Sequence, residues 1–191
     1  MYRKTTRQEL TTLKRAFDRW GIFDYFKDKA VLIKEEKNSK IREVYLLPIG
    51  LELMVVNSQP SYGGLMVGEI KKNFLPSMQG ADLIARVSKK FPYIIVNEIA
   101  EKLILYGRNV LGQSIIETTE MLNENEVVIL LNLKREPIGI GKTNFAGKSL
   151  HQNGKATVTT LVDAGCYLRN EKKGSKMTWR KSRYHYSNYI Q

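Results

Sequence analysis

Residues 139–143 of this chain read GIGKT and contain the residue types found at the end of a phosphate-binding P-loop. In that motif, backbone amides of the glycine-rich loop cradle the phosphates and the lysine, here Lys142, reaches them. The motif also requires a glycine five residues before Gly141, but that residue is Glu136. It requires a helix after Thr143 as well, and residues 144–147 are a poor helix start. Nucleotide hydrolysis is therefore not expected. We interpret the run as a strand whose glycines allow a neighbouring backbone to approach closely.

Histidine and cysteine are too scarce for most metal and nucleophile chemistry. His151 and His185 are the two histidines, and neither has ligands at zinc-site spacing. Cys166 is the single cysteine, so an internal disulfide is excluded and a reducing, intracellular compartment is favoured. The acidic residues are scattered and form no evident general acid–base pair. We expect no cofactor, no metal and no catalytic residues, which means that the chain is not an enzyme.

The charge of the chain points to a polyanionic partner. The net charge is +12 and the isoelectric point about 9.7, and lysine or arginine contacts to phosphates gain free energy from released counterions. Residues 165–191 contain seven Lys or Arg against one acid, so half of the net charge lies in this short segment. Its aromatic residues add flat faces on which bases can stack. A solvated basic surface without a ligand is the alternative interpretation.

The best candidate RNA-binding residues form a basic cluster in this segment, which Lys71, Lys72, Arg108 and Lys142 could extend. Arg169 ranks above its lysine neighbours because a guanidinium can stack on bases and can also donate two hydrogen bonds to one phosphate. The predicted RNA-binding residues are Arg169, Lys172, Lys173, Lys176, Arg108 and Lys142.

The first 100 residues alternate helical and strand patterns and predict an α+β domain. Thr6 and Glu9 have capping-box spacing at the start of an amphipathic helix over residues 7–20, which Gly21 ends. Further predicted helices cover residues 81–90 and 97–105. The predicted strands cover residues 29–34, 41–47, 65–70 and 93–96, the first two forming a hairpin.

After Gly107 the pattern changes to short β-prone runs that predict a small barrel. These runs cover residues 114–118, 127–132, 138–143 and 156–161. We assign residues 101–177 to this second domain and residues 178–191 to a basic, aromatic tail that orders on meeting a partner. The charged start of the chain carries no signal-peptide or membrane-span pattern, so no membrane association is expected.

Several segments together resemble the Nip-seven family of large-subunit ribosome assembly factors, with a C-terminal PUA domain. They are LYG at 105–107, RNVL at 108–111, VVI at 127–129, PIGIG at 137–141 and DAGCYLR at 163–169. Residues 68–72 and 81–83 are similar to the N-terminal domain of that family. Relatives carry a second basic residue at the position of Asn170. This difference concerns the affinity for RNA more than the location of the RNA-binding site.

This resemblance implies an α+β N-terminal domain, a PUA pseudo-barrel and a non-catalytic factor that binds single-stranded pre-ribosomal RNA. It also implies assembly-protein partners on the N-terminal domain, and a cytoplasmic location, or a nucleolar one in a eukaryote. The family places RNA contacts at positions that correspond to Arg169, Lys173 and Lys176, with Lys172 alongside. Two alternatives stay open: an RNA-modifying enzyme or its RNA-targeting subunit, and a protein-docking adaptor.

Overall fold

The computed structural model describes residues 1–36, 39–166 and 169, and the chain divides into two units, Met1–Phe91 and Pro92–Gln191. The expected domain boundary at residue 100 falls inside a helix of the second unit. The division comes earlier because the strand that starts at Tyr93 pairs with later strands of the chain. Lys172, Lys173, Lys176 and the tail over 178–191 lie outside the described residues.

The first unit is built on one antiparallel sheet whose five strands follow each other in sequence order. Its strands are β1 (Tyr2–Lys4), β2 (Lys29–Glu35), β3 (Arg42–Pro48), β4 (Leu65–Ile70) and β5 (Phe74–Pro76). The predicted hairpin is confirmed, since β2 and β3 pair antiparallel over their full lengths. The central strand β3 is covered on both faces, since all five residues from Glu43 to Leu47 are buried and successive side chains of a strand point to opposite faces.

Four helices accompany this sheet: α1 (Arg7–Arg19), α2 (Phe23–Lys27), α3 (Glu52–Ser58) and α4 (Met78–Val87). The predicted cap of α1 is confirmed, because the Glu9 amide donates to Thr6 Oγ1 and the Thr6 amide donates to Glu9 Oε2. Gly21 follows with a φ of 63°, the left-handed conformation that glycine adopts at helix ends. Helix α4 begins earlier than predicted because Ser77 caps it through the Gly80 amide.

The second unit is a six-stranded sheet in the order β7-β11-β10-β9-β6-β8, which curves into a nearly closed barrel. Its strands are β6 (Tyr93–Val96), β7 (Val110–Leu111), β8 (Ile115–Thr118), β9 (Val127–Leu131), β10 (Pro137–Thr143) and β11 (Ala156–Asp163). Helix α5 (Glu98–Leu105) begins at Asn97, whose side chain accepts from the Ala100 amide. The β6–β9 pair is parallel and the other pairs are antiparallel. The predicted fold class is confirmed.

The core of this unit lies between α5 and the sheet, where Ala100 and Ile104 pack with Val128, Leu130 and other apolar residues. The glycines of β10 make this close packing possible, as the sequence predicted. A Cβ on Gly139 would lie 2.8 Å from the Val162 carbonyl oxygen of β11 and 3.2 Å from the Ile104 side chain of α5, so both neighbours would have to move.

Candidate nucleic-acid interface

Arg169 is held by two internal contacts at the end of α5. One guanidinium nitrogen donates to the backbone carbonyl of Leu105, the last residue of the helix, and the other donates to Asp163 Oδ2 at 2.8 Å. The four last carbonyls of a helix have no partner within the helix, and a cation there also suits the helix dipole. Arg169 therefore joins the chain after β11 to the end of α5.

The electrostatics of this cluster are those of a partly buried ion pair. The Asp163 side chain is 9% exposed and the Arg169 side chain 38% exposed. The hydrogen bond to Asp163 raises the pKa of Arg169 above its ordinary value, against the opposing effect of burial. Among the described residues no donor reaches Asp163 Oδ1, so Arg169 supplies the charge compensation that this carboxylate has.

Glycines let the backbone come close to this ion pair. A Cβ on Gly165 would lie 1.9 Å from the Leu105 carbonyl oxygen, the same oxygen that Arg169 contacts. Gly107 has a φ of 74°, and a Cβ there would lie 3.7 Å from Arg169 Nη2. Asp163, Gly165 and Arg169 of one segment that carries the family resemblance are thus in contact with residues 105–107 of another.

Arg108 lies directly beyond this cluster and is fixed through its backbone while its side chain is exposed. Thr160 of β11 donates its hydroxyl to the Arg108 carbonyl at 2.9 Å and its amide to Asn109 Oδ1 at 3.1 Å. The neighbouring Tyr106 is 73% exposed. A cation and an aromatic ring are therefore presented together at the start of β7, a combination that can contact phosphate and stack on a base.

Lys142 lies on β10 opposite Thr159 of β11, and its side chain is half-buried. Thr159 and Thr160 are consecutive residues of β11. Lys142, on β10, and Arg108, just before β7, therefore lie on either side of β11 at nearly the same level. Asp163, the partner of Arg169, lies three residues further along, about 10 Å at the rise of a strand. The structure thus brings the described predicted residues, Arg169, Arg108 and Lys142, to one strand, β11.

The barrel without its C-terminal segment is not basic. Residues 92–164 contain seven Lys or Arg and eight Asp or Glu. The positive charge of the second unit consequently comes from residues 165–191, whereas residues 1–91 carry seventeen Lys or Arg against ten acids. Cationic contacts by this unit thus depend on the few residues that border β11 and on the segment that follows it.

Sequence reasoning missed both the internal ion pair and the exposed aromatic residues of this region. Asp163 is an isolated acid in the sequence, and its pairing with Arg169 could be suspected from the six-residue spacing across a glycine turn. The exposed ring of Tyr106 is one of these aromatic residues, and the half-buried Phe145, whose ring centroid lies 6.0 Å from Lys155 Nζ, also escaped notice. No group of three or more His, Cys, Asp or Glu in the described part of the chain could hold a metal ion. Within the same residues, no helix is long and apolar enough to cross a membrane.

The fold and the matched family models define a two-domain protein with a C-terminal PUA domain. The NIP7/UPF0113 pre-PUA domain model matches residues 2–78, and the UPF0113 PUA domain model matches residues 92–172. The chain is 31% identical over 173 residues to a UPF0113 protein from Archaeoglobus fulgidus, covering 90% of this chain and 96% of the relative. The chain belongs to the NIP7/UPF0113 family.

Solved structures show the same fold at low sequence identity. A hypothetical protein from Pyrococcus horikoshii superposes with a TM-score of 0.66 at 14% identity, over 86% of this chain and 95% of the other. A conserved PUA domain protein from Thermoplasma acidophilum gives 0.64 at 14% identity, over 90% and 99% respectively. These similarities cover both units and establish the architecture, and the matched models belong to no catalytic family.

Proposed function

We propose that this protein is a non-catalytic RNA-binding factor that acts in assembly of the large ribosomal subunit. The observation that carries the proposal is that three cations border β11 of a PUA domain: Lys142 lies opposite Thr159, the Arg108 backbone is bonded to Thr160, and Arg169 pairs with Asp163 at the end of the strand, where the most basic segment of the chain begins. Its ligand is single-stranded pre-ribosomal RNA, and unit 1 contacts other assembly proteins. The protein acts where subunits are assembled, in the cytoplasm or in a nucleolus.

Within this interface the predicted residues have different roles. Arg169 has a structural role, because two of its nitrogens are held by Asp163 and Leu105. Arg108 presents its side chain to solvent beside Tyr106 and contacts phosphate or a base directly. Lys172, Lys173 and Lys176, which the sequence places in the basic segment, supply phosphate contacts.

The experiment is fluorescence anisotropy with a short single-stranded RNA and its duplex over a salt series. The test variant replaces Lys172, Lys173 and Lys176 with alanine and keeps Arg169, so that the ion pair is intact. The control variant replaces Lys102, Lys134 and Lys148, which are exposed lysines elsewhere in unit 2. Both variants lose three positive charges from the same unit. A difference in RNA affinity between them therefore reports a local binding site and not the overall charge.

Three phosphate contacts on a single strand contribute about 2 to the slope of log K against log salt. We expect the test variant to lose about that much slope and the control variant to keep the wild-type slope. Equal losses in both variants would reduce the proposed interface to a general charge effect. The role in assembly is tested by depleting the protein in its own organism, where we expect fewer large subunits in sedimentation profiles and accumulated precursor RNA.

A further inference from the structure

Unit 1 contains an aromatic cleft that the proposed PUA interface does not use. The cleft lies between α1, α2 and β2 and has a volume of about 350 Å³, which is within the range of sites for small ligand groups. The residues that line it are Thr5, Leu10, Leu13, Lys14, Phe17, Phe23, Phe26, Lys27, Lys29 and Val31. Apolar and aromatic side chains thus form the cleft, three lysines accompany them, and no carboxylate lines it.

The aromatic rings of the cleft are held in place by the core of the unit. Phe17 and Phe26 stack with ring centroids 3.4 Å apart, and both are buried. Phe17 also packs edge-to-face against Phe74 of β5 at 5.5 Å. Phe23 is half-buried and completes the wall. A flat ring system that enters this cleft meets an apolar, preformed surface, so little ordering of side chains opposes its binding.

The lysines of the cleft set the charge that a ligand must carry. Lys27 Nζ lies 2.5 Å from Asp24 and 5.3 Å from the Phe23 ring centroid, so its charge is partly compensated. Lys29 lies over the ring of Tyr25 at 5.5 Å. Neither Lys14 nor Lys29 makes an ion pair with the residues that the structure describes. The ligand is therefore expected to have an apolar, planar body and an anionic backbone.

The basic surface continues from the cleft along α1. Arg7, Lys14 and Arg15 are exposed, and the spacing of seven and eight residues from Arg7 places the three on one side of the helix. The span from Arg7 to Arg15 is about 12 Å at the helical rise, long enough to follow a nucleic-acid backbone rather than one isolated anion. Residues 1–91 carry seventeen Lys or Arg against ten acids, so this surface belongs to a unit that is itself cationic.

We propose that the cleft binds an unpaired base of single-stranded RNA while Arg7, Lys14 and Arg15 contact the adjoining phosphates. The inference rests on the proposed RNA-binding function and adds a second contact to it, in unit 1. RNA fits better than an acidic peptide because the cleft is small and formed by side chains, so it offers no extended groove for a helix and no row of backbone groups for a strand. A stacked base contributes about 1 to 3 kcal/mol, which corresponds to a 5- to 150-fold change in affinity.

The test uses the full chain and two probes, a short oligouridylate and the same oligonucleotide with abasic sites. Leu10→Trp blocks the cleft without changing charge, since Leu10 is 39% exposed and lines it. We expect this variant to bind oligouridylate about tenfold more weakly and the abasic probe as well as wild type does. Circular dichroism confirms that the variant is folded, and Thr11→Trp, on the exposed face of the same helix, serves as the control.

A second pair of variants tests the phosphate contacts beside the cleft. The cleft triple changes Arg7, Lys14 and Arg15 to alanine together, and the control triple changes Lys40, Lys89 and Lys90, which are exposed in the same unit. We expect only the cleft triple to lose about 2 from the salt slope for oligouridylate.

Equal effects of both triples, or unchanged oligouridylate binding by Leu10→Trp, would overturn the inference while leaving the PUA interface intact. If Leu10→Trp instead abolished binding of an acidic, aromatic peptide and left RNA affinity unchanged, the cleft would be a protein-docking site. Wild-type protein that binds neither oligouridylate nor duplex RNA would refute the proposed function as well.

Discussion

Replacing Arg169 with alanine separates the structural role of this residue from its predicted role in RNA binding. The substitution leaves Asp163 buried without its partner and removes the donor to the Leu105 carbonyl. Breaking a buried ion pair costs about 3 to 5 kcal/mol, whereas exposed pairs contribute about 1 kcal/mol or less. Since the Asp163 side chain is 9% exposed and that of Arg169 38%, this pair lies between the two cases. We expect a loss of about 2 kcal/mol in the free energy of unfolding.

For a unit of this size, a loss of that magnitude lowers the melting temperature by roughly 8 to 16 °C. The assay is thermal unfolding followed by circular dichroism or calorimetry, with Arg108→Ala as the control because Arg108 is exposed. That control should change the free energy by no more than about 0.5 kcal/mol. Changing Asp163 to asparagine in the Arg169→Ala background removes the uncompensated charge and should restore part of the lost stability.

A melting temperature of Arg169→Ala within about 2 °C of the control would refute the reasoning, since the ion pair would then contribute nothing measurable. RNA affinity of Arg169→Ala should be measured below the melting transition. Under that condition the variant is folded, so a loss of affinity reports the missing guanidinium and not unfolding.

Three further predictions concern other parts of the chain. Glu9 is buried, and its hydrogen bonds with Arg3 lower its pKa to about 2 from the ordinary value of 4.5. A lowered folded-state pKa stabilises the fold above pH 4.5 and loses that contribution as the pH falls toward 2. Glu9→Gln should therefore destabilise unit 1 by about 2 kcal/mol at neutral pH and by progressively less in acid unfolding titrations. Gly165→Ala places a Cβ 1.9 Å from the Leu105 carbonyl oxygen and should lower the melting temperature at least as much as Arg169→Ala, as calorimetry would show. Arg108→Ala and Lys142→Ala should each weaken RNA binding several-fold in anisotropy titrations, with a loss of about 0.7 in salt slope and no change in melting temperature.

The elements with strong local signals could be predicted from the sequence. The cap of α1 at Thr6 and Glu9, the β2–β3 hairpin and the strands of the barrel follow from side-chain periodicity and from glycine positions, which act locally. The apolar run before Val56 was not assigned to a helix, although α3 forms there. Its seven residues are too few for periodicity to separate helix from strand. The short strands β1, β5 and β7 were missed because their pairing partners lie in other parts of the chain and leave no local pattern.

The functional surface was only partly predictable for the same reason. Charge composition pointed to a polyanion and to the C-terminal segment, but composition says nothing about which cation has an internal partner. Arg169 was ranked first as an RNA anchor because of its guanidinium, and the structure shows that this guanidinium is already held by Asp163. The cleft of unit 1 could not be predicted either. From the sequence Phe17 and Phe26 are ordinary core residues, and only the fold shows that Lys14 and Lys29 lie beside them.

The position of β11 between β7 and β10 has a consequence for the order in which the protein folds during synthesis. All five strands of unit 1 are complete by Pro76, so this unit can fold while the rest of the chain is still being made. In unit 2, β11 lies between β7 and β10, and until residues 156–163 leave the ribosome β10 has an open edge. That edge presents unpaired backbone N–H and C=O groups on a strand whose side chains include Ile138 and Ile140, and it can therefore pair with another chain. Chains truncated before β11 should therefore aggregate through the barrel while unit 1 keeps its native fold.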